Sequence, residues 1–206
     1  MKPRGAFGAL PKKIISSEND PFSFKKAGLS IAMIKCLLIL AIRNDFYTKE
    51  TKISQTDLTE LTGCSKQMVI NALDALVSNK IIKKMEVKKG KTNIYILTFK
   101  DEKFSKVPGY LEKILPECTN SRGKSLLATF KLYLILLDLK QSKEDVSRIS
   151  YTTLVSYGIP KKLIRQAISS LIAFQLIDVR QESIGPTKHL SNVYFIKHLS
   201  SREKAG

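Results

Sequence analysis

The chain has 206 residues, with 35 Lys and Arg against 18 Asp and Glu, for a net charge of +17. This length fits one large domain or two small ones, and the basic excess points to a polyanion, nucleic acid first. The longest apolar run, Ile31 to Ile42, is broken by Lys35 and is too short for a membrane span, and three scattered cysteines (Cys36, Cys64, Cys118) make neither a disulfide framework nor a metal site.

The charge is carried by both halves. Residues 1–100 hold 18 basic and 8 acidic side chains, and residues 101–206 hold 17 and 10. A basic tail alone would not give that spread. The N-terminus has charge but no apolar stretch leading to a cleavage site, so no signal peptide is expected. A reducing, intracellular setting fits the cysteine usage, and with a nucleic-acid partner the expected location is cytoplasmic and nucleoid-associated.

In chain order, residues 1–29 contain Pro3, Pro11, Pro21 and six Lys or Arg, and read as an irregular basic arm. Ser30 to Arg43 has the length and apolar density of a buried helix. Ser54 caps a second helix, with Asp57 three residues on as a capping-box partner and Leu58 and Leu61 as its apolar face. Gly63 fits the left-handed position that ends it. Ser65 caps a third helix with Val69, Leu73, Leu76 and Val77 inward. Strand-like segments follow at Ile81 to Val87 and Asn93 to Phe99, joined by a Lys88-Lys89-Gly90-Lys91-Thr92 hairpin tip. Residues 101–123 read as a linker with a short helix over Tyr110 to Leu115.

The same order then returns. Ser125 to Lys140 is a long apolar helix, with Ser125 as its cap. Tyr151 to Tyr157 is a short helix, and Gly158-Ile159-Pro160 is the turn. Lys161 to Phe174 is the third helix, with Ile164, Ile168, Leu171 and Ile172 inward. Strands follow at Leu176 to Gln181 and Asn192 to Ile196. The repetition is visible residue by residue. Ile53-Ser54-Gln55-Thr56-Asp57-Leu58 matches Ile149-Ser150-Tyr151-Thr152-Thr153-Leu154. Ala32-Met33-Ile34-Lys35 matches Ala128-Thr129-Phe130-Lys131, and Asn93-Ile94-Tyr95-Ile96 matches Asn192-Val193-Tyr194-Phe195. The expected fold class is mainly α with small β-hairpins (α+β), in two tandem domains. Their bounds are 30–100 and 124–199, with a tail at 200–206.

Helix, short helix, glycine turn, helix and two-stranded hairpin is the order of a winged helix-turn-helix. Ser65 to Leu76 followed by Ile81-Ile82 closely resembles the winged-helix pattern, as does Pro160 to Leu171 followed by Leu176-Ile177. The resemblance covers about 70 residues in each half. One departure is at Lys80 and Gln175, where such domains often carry Gly before the first wing strand. In helix-turn-helix binders the start of the third helix enters the major groove. The resemblance therefore implies contacts from Ser65, Lys66, Gln67, Ile70 and Asn71 in the first copy. In the second it implies Lys161, Lys162, Arg165 and Gln166. Asn and Gln pair with adenine edges, Arg pairs with guanine, and Lys most often holds phosphate. Lys88, Lys89 and Lys91 form a strongly basic first wing. The second wing is weaker, with Lys188 and His189 beside Glu182. Lys2, Arg4, Lys12 and Lys13 of the arm are candidates for a groove contact.

Catalytic signals are absent from the sequence. Arg122-Gly123-Lys124-Ser125 looks like the end of a phosphate-binding loop, but its first glycine would fall at Cys118. Only His189 and His198 are available as imidazoles, and no carboxylate cluster suggests phosphodiester cleavage. The expectation is a non-enzymatic protein that binds double-stranded DNA, with no cofactor, metal, membrane or small-molecule partner. Three functions fit: a transcriptional regulator, a replication initiator of a plasmid or other mobile element, and a protein-assembly scaffold. Plasmid initiators share an architecture of two unlike winged helices. A homodimer through the apolar first helices is a further expectation.

Overall fold

The computed structural model describes residues 7–16, 20–85, 92–99, 103–118, 123–140, 146–184 and 189–197, with only the backbone described at 183, 184 and 189–191. Among the described residues the fold is α+β, with seven α-helices and three small antiparallel sheets. The first half runs β1 (Phe7–Pro11), α1 (Ala27–Arg43), β2 (Glu50–Lys52), α2 (Gln55–Thr62), α3 (Lys66–Ser78), β3 (Ile82–Met85) and β4 (Ile94–Leu97). The second runs β5 (Phe104–Pro108), α4 (Leu111–Ile114), α5 (Lys124–Leu139), β6 (Val146–Arg148), α6 (Tyr151–Ser156), α7 (Lys161–Ala173), β7 (Ile177–Ile184) and β8 (His189–Ile196). The sheets are β1-β5, β2-β4-β3 and β6-β8-β7.

Local chemistry sets the helix ends. Ser54 accepts from Asp57 N at 3.0 Å while Asp57 Oδ2 accepts from Ser54 N at 3.3 Å, a complete capping box on α2. Ser150 accepts from Thr153 N at 3.1 Å on α6. Gly63 (φ 65°) and Gly158 (φ 79°) then turn the chain in the left-handed region. In α3 the buried stripe is Val69, Ala72, Leu73 and Leu76; in α7 it is Ile164, Ala167, Ile168 and Leu171. Val77 and Ile172, expected inward, are 37% and 44% exposed. Each lies about 80° round its helix from the stripe's first residue, which carries it past the core edge. Ser125 is not the cap of α5 either. Gly123 (φ 60°) holds that position, which places Ser125 inside the first turn.

The duplication reaches further upstream than the sequence reading places it. The basic arm is not irregular where it is described, and the linker holds a strand, β5, before the short helix expected there, α4. Phe7-Gly8-Ala9-Leu10-Pro11 and Phe104-Ser105-Lys106-Val107-Pro108 are equivalent strands, and they pair with each other. Phe7 faces Pro108 and Pro11 faces Phe104, with Ala9 opposite Lys106 at the centre. Equivalent residues thus exchange places across a local two-fold axis, as at the isologous interface of a dimer. α1 also packs against α5. Gly8 permits the close approach of β1 to α1, since a Cβ there would lie 2.3 Å from the Ala41 carbonyl oxygen. The two halves share one continuous core that includes Leu10, Ile15 and Phe22 of the former arm. In each half the short first strand of the three-stranded sheet is tied to the first helix. Thr51 Oγ1 donates to Leu40 O at 3.0 Å, and Ser147 Oγ donates to Leu136 O at 2.6 Å.

Two buried lysines mark the same equivalence. Lys35 donates to Thr62 O at 2.9 Å, at the C-terminal end of α2, and to Leu115 O at 2.7 Å. Its counterpart Lys131 is fully buried and pairs with the Asp20 carboxylate. Residues from the expected linker and the expected arm therefore complete the two cradles. Burial depresses the Lys35 pKa.

Candidate nucleic-acid interface

The first turns of α3 and α7 stand at matching places in the two halves. The glycine turns and the buried stripes fix which side of each helix faces out. On α3, Ser65, Lys66, Gln67 and Asn71 are exposed, and Ile70 is half-buried between them. Ser65 Oγ accepts from Met68 N at 3.3 Å, so its oxygen caps the helix. Gln67 Nε2 donates to Asn71 Oδ1 at 2.9 Å, which orders these two amides as a pair. On α7, Lys161, Lys162, Arg165 and Gln166 are all exposed. The structure thus brings the five expected residues of the first copy onto one helix end, and the four of the second onto another.

Electrostatics separate the two halves. In the first, β3 continues the basic surface with exposed Lys83 and Lys84. Neither is among the residues expected from the sequence, although both precede the Lys88-Lys89 pair closely in the chain. In the second, β7 and its neighbours are charge-balanced. Lys197 pairs with Asp178 at 3.3 Å and Arg148 with Glu182 at 3.3 Å, while Arg180 lies over the Phe195 ring at 4.8 Å. Lys88, Lys89, Lys91 and Lys188 lie outside the described residues, as do Lys2 and Arg4. Lys12 does not reach outward: its ammonium donates to Asp138 O at 3.0 Å, at the C-terminal end of α5. The Lys13 backbone N–H donates to Asp138 Oδ1 at 3.3 Å.

No family model, curated protein or solved structure matches this chain. The case for an interface therefore stands on the residues themselves. Among the described residues no helix is long and apolar enough to cross a membrane. The thiols are free, and those of Cys36 and Cys118 are buried. Burial raises both, Cys118 to about 11, which leaves them largely protonated and poor as nucleophiles at neutral pH.

Proposed function

We propose that the chain is a sequence-specific double-stranded DNA-binding protein, built as two winged helix-turn-helix modules and acting as a transcriptional regulator. The observation that carries this is the pairing of two polar, basic helix starts in equivalent halves that meet across a local two-fold. α3 offers an ordered Gln67–Asn71 amide pair suited to adenine edges, and α7 offers Arg165 beside Gln166, suited to guanine and adenine. Lys66, Lys161 and Lys162 supply phosphate contacts, and the lysines of β3 extend that role along the first wing.

The two-fold between β1 and β5 has a consequence for the target. The reading heads run in opposite senses, so the two half-sites are inverted in orientation. The heads carry different side chains, so the half-sites differ in sequence. Centres lie about one helical turn apart, roughly 10 bp, if both helices enter one face of the duplex. Selection of bound sequences from random duplex DNA tests this. Two unlike, inverted half-sites are expected. Enrichment of a direct repeat, or of no motif, contradicts the arrangement. A selected site that overlaps promoters supports regulation, whereas clustered copies beside a replication origin transfer the protein to initiation.

A further inference from the structure

The two helix starts differ most at one corresponding position. The buried stripes Val69-Ala72-Leu73-Leu76 and Ile164-Ala167-Ile168-Leu171 correspond residue for residue, and that correspondence sets Ile70 against Arg165. It also sets Lys66 against Lys161, Gln67 against Lys162 and Asn71 against Gln166, where both members are polar. Of these pairs, only Ile70 and Arg165 exchange an apolar side chain for a charged one.

Core packing does not account for Ile70. Of the half-buried apolar side chains of α3, Met68 and Ala75 pack against the core and Ile70 does not. It stands one turn after exposed Lys66, beside the hydrogen-bonded amides of Gln67 and Asn71. Apolar surface left in that polar setting contributes nothing to folding until something covers it. Ile is also β-branched, so its χ1 is held to one rotamer in a helix and little freedom is lost when a partner packs on it.

The major groove offers one apolar group along its base edges, the C5-methyl of thymine. An arginine in the same place matches guanine O6 and N7 in bidentate fashion. We propose that Ile70 and Arg165 are the specificity-determining pair of the two heads. Ile70 selects thymine by contact with its methyl group, and Arg165 selects guanine at the corresponding place in the other half-site. This rests on the duplex reading proposed for α3 and α7. The first half-site is then read as A·T pairs, by the amides and by Ile70, and the second contains a G·C pair. The difference fixes which end of the site each half of the protein occupies.

The test uses the full chain, with selection from random duplex DNA followed by titration of the selected site. Thymine is expected in one half-site at the place where guanine stands in the other. Ile70→Arg is expected to replace that thymine by guanine in a repeated selection, and Arg165→Ile to do the reverse. Deoxyuridine in place of the thymine removes the methyl group and keeps the base pair. It is expected to weaken wild-type binding about fourfold, as for one buried methyl group, whereas Ile70→Ala is expected to bind both duplexes equally. A merely structural role for Ile70 would lower the affinity of Ile70→Ala and leave its sensitivity to the methyl group intact, which overturns the proposal. A selected motif without thymine at that place, or one unchanged in Ile70→Arg and Arg165→Ile, overturns it too. Those results leave two reading heads standing, whereas the absence of any selected motif removes the duplex reading and this proposal together.

Discussion

Lys80 and Gln175 are the only pair of equivalent non-glycine residues with left-handed backbone among the described residues, both at φ 56°. They stand where the chain leaves α3 for β3 and α7 for β7. A side chain there costs roughly 1–2 kcal/mol, part of which glycine returns as unfolded-state entropy. Lys80→Gly and Gln175→Gly are each expected to raise stability by about 0.5–1 kcal/mol in urea unfolding. Asp20 carries the opposite lesson. Asp20→Ala strips the paired carboxylate from a fully buried ammonium at Lys131, so a loss of about 2 kcal/mol is expected although Asp20 is itself partly exposed. A change near zero would show that water takes over the pairing. Tyr95, Tyr133 and Tyr194 set the alkaline limit. Burial raises all three phenols, Tyr95 to about 12, so the unfolded chain loses these protons first. Their contribution is complete below about pH 10 and is lost as pH rises toward 12, at about 1.4 kcal/mol per pH unit for each. Lys35 works in the opposite sense below the unfolded lysine value of about 10.4, but one lysine offsets only one of the three phenols, so the net fall begins near pH 10. Urea midpoints measured across this range check it, and Tyr95→Phe is expected to flatten the slope.

At the scale of elements, the long periodic helices were legible in the sequence and the short strands were not. The stripe of α3, the capping box at Ser54 and the turn glycines carry strong local signals, and the structure has them in place. β2 and β6 are three residues each, too short for an alternation to register, and they exist through tertiary bonds to α1 and α5. β1 and β5 share only a Phe and a Pro, and each pairs solely with the other. Val77 and Ile172 failed for a related reason: period alone does not say how wide the buried face is. For the candidate interface, residue type and position on the helix were readable. The Gln67–Asn71 pairing and the tethering of Lys12 to Asp138 depend on side-chain placement, which no sequence pattern encodes. The DNA-reading role proposed for α3 and α7 is tested by alanine at Lys66, Gln67 and Asn71 or at Arg165 and Gln166. Each lost base contact should cost about 1–3 kcal/mol of specific binding, with little change in thermal stability because these side chains are exposed.

At the scale of the molecule, the two halves are a fused pseudo-dimer rather than domains on a string. Strand pairing between β1 and β5, the α1–α5 contact and one shared core make them a single body. Gly8→Val should therefore disturb both halves, since any Cβ at that position meets the backbone of α1. A single cooperative unfolding transition, shifted to lower urea, is expected; two separate transitions would mean independent halves. The central claim is that this body presents two distinct reading heads to one duplex. Hydroxyl-radical footprinting on a selected site tests it most directly, with wild-type protein beside the Lys66/Gln67/Asn71 and Arg165/Gln166 alanine variants. The account predicts a two-part footprint, with each variant losing protection over a different half. Loss of both halves from one variant and neither from the other, or no footprint at all, would contradict it.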